Sequence, residues 1–167
     1  MYIPFEQLPA DSRVWVYQAN RSFSDAEEKI IDASLHAFCS QWAAHGHPLQ
    51  TSYAIVYKQF LVLSVNENAA DASGCSIDGS VRMLKELGQQ FNIDFFDRTK
   101  IAFLKGNEIK IYSLSELRAL FKSGELNNLS ITFNNLVPDK SAFEQGWKVS
   151  TENSWLTKYL SERALSV

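Results

Sequence analysis

The sequence lacks a long apolar run. Its most apolar stretch, residues 60–63 (FLVL), falls far short of the roughly 20 residues a helix needs to cross a bilayer. No membrane span is expected. A basic excess is also missing, since 16 Lys and Arg stand against 19 Asp and Glu, scattered along the chain. Phosphate neutralisation supplies most of a nucleic-acid binder's affinity, so DNA and RNA are not expected partners. Cysteine is scarce: Cys39 and Cys75 are the two present. Residues 1–10 (MYIPFEQLPA) show neither a basic nor an apolar signal region. With no export signal the thiols are expected to be reduced and the address cytoplasmic. Glycine and proline are few, 7 and 4, and no repeat, low-complexity tract or Gly/Ser linker breaks the chain.

What is present is material for a core. Hydrophobic residues are 46% of the 167, with four Trp, six Tyr and eleven Phe. A chain of this length buries roughly two thirds of its unfolded surface, and the length favours one domain.

Alternation over residues 13–17 (RVWVY) predicts a first strand. Ser24 and Glu27 form a capping box ahead of a helix whose stripe is Ile31, Leu35, Phe38 and Trp42. Residues 53–57 and 60–65 predict a hairpin, although Lys58-Gln59 lacks the usual turn glycine or asparagine. Residues 60–63, apolar on both faces, mark a central strand. A second helix follows, with the stripe Ile77, Val81, Leu84, Leu87 and Phe91. Residues 100–104 and 108–112 flank Gly106-Asn107 as a second hairpin. Ser113 and Glu116 make another capping box, opening a short helix that Gly124 ends. Residues 129–133 read as a strand and 154–163 as a last helix. Hairpins separated by helices predict an α+β fold: a single domain, 1–167, with a mainly antiparallel sheet and helices packed on it.

The least ordinary composition lies over residues 72–81 (ASGCSIDGSV). Ile77 belongs to the stripe, so the helix is expected to start near Ser76, with Ser73, Gly74 and Cys75 at its mouth. Small residues expose backbone amides there, and the helix dipole adds positive charge. An anionic ligand would then contact Ser73, Gly74, Cys75, Ser76 and Asp78. The same field would lower the Cys75 pKa and make it a nucleophile, with His45 or His47 as base. Asp78 opposes both effects, because its carboxylate competes for the field. A Ser-capped helix start packed on the sheet accounts for the same residues without a ligand.

Gly74 and Gly79 have the spacing of a P-loop, but Ser80 stands where the phosphate-binding lysine belongs. No strand immediately precedes Gly74 and no Walker B aspartate follows, so nucleotide hydrolysis is not expected. His36, Cys39, His45 and His47 lack zinc spacing. No metal site and no cofactor is expected. Asp94, Asp97 and Arg98 read as a loop ion pair. The aromatic segment 147–160 reads as a docked tail helix or as a surface for a partner or a second copy.

Residues 12–20 (SRVWVYQAN), 44–46 (AHG), 72–78 (ASGCSID), Val81-Arg82 and 133–137 (FNNLV), with Trp147 and Ser154-Trp155, form one set. Taken together they resemble an uncharacterised family of small Bacteroidota proteins, some of which carry the label "ABC transporter ATPase". The likeness spans nearly the whole chain. It implies a small bacterial protein and carries no activity or catalytic residue across, and the missing lysine and Walker B element contradict the label. The expectation is a non-enzymatic cytoplasmic domain that binds a small anionic ligand or a protein partner at residues 73–78. A cysteine-dependent enzyme built on Cys75, with His47 as a candidate base, is the alternative. A homo-oligomer joined through 147–160 is the third reading.

Overall fold

The computed structural model describes residues 1–164. In chain order the elements are β1 (Arg13–Gln18), α1 (Asp25–Gln41), β2 (Ala43–Ala44), β3 (His47–Pro48), β4 (Thr51–Val56), β5 (Phe60–Val65) and α2 (Gly74–Phe91). There follow β6 (Lys100–Lys105), β7 (Glu108–Ser113), α3 (Leu117–Ser123), β8 (Ile131–Phe133), α4 (Lys140–Gly146), β9 (Lys148–Ser150) and α5 (Thr157–Ala164). The α+β class and the antiparallel pairing match the expectation. The strands form three sheets, ordered β1-β5-β4, β2-β3 and β7-β6-β8-β9. Where the sequence shows no internal boundary, packing groups the chain into two compact units. One comprises Met1–Phe96 with Asn135–Glu144, the other Asp97–Asn134 with Gln145–Val167.

In the first unit β5 is central, and all six of its residues are buried. Its turn to β4 needs no glycine. Tyr57 and Lys58 both take positive φ, 54° and 50°, and the Gln59 amide donates to the Val56 carbonyl at 3.1 Å. Two left-handed residues match the right-handed twist of the strands they join. The capping box forms as expected: Ser24 Oγ accepts from the Glu27 amide, and the Glu27 carboxylate accepts from the Ser24 amide at 2.9 Å. Arg21 clamps the same glutamate and donates to the Phe91 carbonyl at 2.6 Å, tying the start of α1 to the end of α2. The core gathers Ile31, Leu35 and Cys39 from α1, Leu61, Leu63 and Val65 from β5, and Leu84 and Leu87 from α2.

Each edge of this sheet is bridged at its start. Along β1, the Val14 amide donates to the Pro138 carbonyl and the Lys140 amide to the Ser12 carbonyl, around a single bridge between Arg13 and Asp139. Along β4, residues 1–3 do the same. The Thr51 amide donates to the Met1 carbonyl at 3.0 Å, the Ile3 amide donates to the Thr51 carbonyl at 2.8 Å, and Pro4 then turns the chain away.

The second unit packs Phe103, Leu117, Phe121, Leu126 and Leu156 into its own core. Gly106 (φ +64°) turns the β6–β7 hairpin and Gly124 (φ +83°) ends α3, both as expected. Phe121 stacks on Tyr159 at 5.6 Å. The aromatic segment is not one tail helix. Trp147 is buried against Phe133 at 4.6 Å, β9 pairs with β8, and the helix begins only at Thr157. Trp155 is half exposed, with the Lys158 ammonium 5.1 Å above its ring.

Candidate functional site

Ser73 is the N-cap of α2, which starts at Gly74, two residues before the expected position. Ser73 Oγ accepts the Ser76 amide at 3.2 Å, and the Ser73 carbonyl accepts both the Ile77 amide and Ser76 Oγ. Gly74 and Cys75 are therefore first-turn residues, not a loop at the mouth. The buried face is also shifted from the expected stripe. Ser76 and Ser80 are buried beside Leu84, Leu87 and Gly88, while Ile77 and Val81 are half buried. Ser76 is held inward because its carbonyl accepts the Trp42 indole N–H at 2.9 Å. Gly74, Cys75 and Asp78 are exposed. Of the three first-turn amides, that of Ser76 is thus closed by the cap, and the other two belong to the exposed residues Gly74 and Cys75.

Cys75 is a free thiol on the surface. His45 and His47 are exposed in the β2–β3 hairpin, where His45 takes a positive φ of 51° beside Gly46. No hydrogen bond ties Cys75 to either histidine among the described residues. His36 instead packs its ring 4.6 Å from that of Tyr2, tilted by 53°, and Cys39 is buried, with burial pushing its thiol up to about 12. Among the described residues no group of three or more His, Cys, Asp and Glu is placed to hold a metal ion. None of the described helices is long and apolar enough to cross a membrane.

A concave surface lies elsewhere, along the open part of the β4 edge. It is a groove of about 700 Å³. Its floor is Tyr53, Ala54 and Ile55 of β4, and one wall is Asp25, Glu28, Lys29 and Asp32 of α1. Tyr2, Phe5 and Glu6 of the N-terminal segment complete it. The wall is a consequence of helical spacing. Positions 25, 28, 29 and 32 fall on one face of a 3.6-residue helix, next to the buried stripe of Ile31 and Leu35. Asp25 and Glu28 also suit the positive end of the α1 dipole. Asp32 lies a turn beyond that field.

Four carboxylates and one ammonium line the groove. Lys58, in the hairpin turn, pairs with Asp25 and stands 3.7 Å from Glu28. Its hydrogen bond and charge hold the Asp25 carboxyl below the usual range. At the other end Tyr53 Oη donates to Asp32 at 2.9 Å, and Tyr2 sits 5.6 Å from the Tyr53 ring. Burial, then the Asp32 carboxylate, raises the Tyr53 pKa. The phenol therefore stays neutral and remains a donor. Acidic walls and aromatic rings in one concavity are chemically suited to a cation, through charge and through the ring faces.

No motif in the sequence marks these residues. The available signal was the acidic spacing 25, 28, 32 beside an apolar stripe. The contribution of residues 2, 5 and 6 is invisible without the fold.

Fold and groove together define an α+β protein with an acidic, aromatic recess on one sheet edge. No protein-family model matches this chain, and neither a curated protein nor a solved structure does.

Proposed function

We propose that this protein is a binding module, not an enzyme, and that it takes a positively charged partner into the groove beside β4. The observation that supports this reading is the lining itself, four carboxylates and the rings of Tyr2, Phe5 and Tyr53 around about 700 Å³. Exposed ion pairs are weak singly, each contributing about 0.2–1 kcal/mol. Several in one concavity, with ring faces beside them, add up to a usable affinity. Two unpaired cysteines and the resemblance to a bacterial family support a cytoplasmic setting.

Thermal shift and calorimetry at low ionic strength test the proposal, with spermidine and arginine amide as cations and sulfate and phosphate as anions. The cations raise Tm, and the rise fades with added salt. Glu28→Gln with Asp32→Asn abolishes the rise. A cation-induced shift that survives this double substitution refutes the groove as the site, and no shift with any cation refutes the reading.

The second reading is the anion site at α2, supported by the exposure of Gly74 and Cys75 in its first turn. There sulfate or phosphate raises Tm, and Gly74→Pro, which removes an amide donor at the first helical position, prevents it.

A further inference from the structure

In a strand, amide and carbonyl of one residue point to the same side, and successive residues alternate. Thr51 directs both of its groups outward, to residues 1–3. Tyr53 and Ile55, two and four positions on, direct theirs the same way, while Ser52, Ala54 and Val56 pair inward with Ser64, Val62 and Phe60 of β5. Residues 1–3 leave the edge after Thr51, and among the described residues no strand pairs with Tyr53 and Ile55 on that side. Two amides and two carbonyls therefore point into the groove.

We infer that an extended, basic segment of a partner protein adds to β4 as a further strand, hydrogen-bonding Tyr53 and Ile55 and placing alternate Lys or Arg side chains against Asp25, Glu28 and Asp32. The inference deepens the cation-binding reading and rests on it. Strand addition supplies affinity through the main chain and specificity through every second side chain. The same edge already accepts one backbone bridge of this kind, between Tyr2 and Thr51, in parallel. α1 lies over the face that carries Tyr53, as the Asp32 contact shows. One alternate set of incoming side chains must therefore meet its acidic row. A second copy of this chain fits poorly, because edge-to-edge pairing of two β4 strands would bring two acidic walls together. An acidic or neutral segment gains nothing from the walls.

The probe is the peptide acetyl-KVKVK-amide, titrated calorimetrically against the full chain beside spermidine. Two further versions carry N-methyl groups on the odd or on the even amides. Only alternate amides can face the edge, so one version binds at least tenfold more weakly than the parent and the other much less so. Ile55→Pro removes one outward amide and leaves the β5 pairing intact, a change edge strands tolerate. It weakens the peptide comparably. If both methylated peptides bind like the parent, capture is by side-chain charge alone; strand addition is overturned and the cation reading survives. If neither peptide nor spermidine binds, both fall. Concentration-dependent dimerisation that Ile55→Pro abolishes would assign the edge to a second copy and overturn the basic-peptide partner. Should the proline variant not fold, the methylated peptides decide the question on the native chain.

Discussion

Lys140 is a lysine in an unusual place, 6% exposed, and it anchors the segment that builds one side of the groove. Its ammonium donates to the Leu8 carbonyl at 2.8 Å and the Glu6 carbonyl at 3.1 Å, and lies 5.5 Å from the Phe5 ring. Glu144 stands 3.8 Å away on the same helix. Lys140→Met keeps the length of the stem and removes the charge. Bonds to a charged group contribute about 1.5–3 kcal/mol each, and shedding a buried ammonium returns part of that as relieved desolvation. Glu6 is exposed and its carbonyl can turn to water. The Leu8 carbonyl, beside a side chain only 3% exposed, is left without its partner, at about 1–3 kcal/mol. The net expectation is a loss of about 2–3 kcal/mol, which for a chain of this size lowers Tm by roughly 4–12 °C. Urea denaturation at unchanged m-value measures it. Amide exchange should accelerate at Gln7 and Leu8, whose N–H groups close a 3-10 turn over Phe5–Gln7. Cation affinity should fall as Phe5 and Glu6 lose their place. A cost under about 1 kcal/mol with unaltered exchange at Leu8 would show that the lysine does not hold this segment.

Other outcomes follow from the same packing. Gly88→Ala should destabilise: a methyl there meets the Ile93 carbonyl oxygen at 2.5 Å, which is backbone and cannot step aside. The helix-propensity gain of about 1 kcal/mol is outweighed by an overpacking cost of about 1–3 kcal/mol; a variant that melts higher contradicts this. Thiol labelling at neutral pH should count one cysteine per native chain, Cys75, and two after unfolding. Rapid labelling of both in the native state would mean that Cys39 is not sealed. The Glu27 carboxyl is lowered from 4.5 to about 2 by the Arg21 hydrogen bonds and the Ser24 amide. A depressed carboxyl pKa stabilises above its unfolded value, so its contribution is complete above about pH 4.5 and vanishes as pH falls through about 2. Glu27→Gln should therefore narrow the stability gap to wild type across that window, and a gap that is constant with pH would refute the clamp.

The parts of the fold that were legible are those set by local chemistry. The Ser24–Glu27 and Ser113–Glu116 capping boxes, the Gly106 and Gly124 turns and the doubly apolar β5 each carry their reason within a few residues. Periodicity sets the start of α2 two residues late, because Ile77 has the pattern of a first core residue. Ser76 takes the buried position through a hydrogen bond from Trp42, 34 positions away. Strands of two or three residues, such as Ala43–Ala44 and Lys148–Ser150, are too short to show a period. The division into two units was hidden for a related reason. Residues 135–144 return to meet the start of β1, and no composition change marks either crossing. The candidate groove was the least legible part. It exists because residues 1–3 stop pairing after Thr51 and because α1 turns an acidic row toward the gap. Neither fact is a motif, and the small residues at 73–78 drew attention to a helix cap instead.

Hydrogen exchange at single amides tests the central claim most directly. In the chain alone, the Tyr53 and Ile55 amides should exchange rapidly although they lie inside a strand, while Ala54, bonded to Val62 across the ladder, exchanges slowly. Saturating acetyl-KVKVK-amide should slow Tyr53 and Ile55 and leave Ala54 as it was. Slow exchange at Tyr53 and Ile55 before any peptide is added, or no change on saturation, would contradict the account.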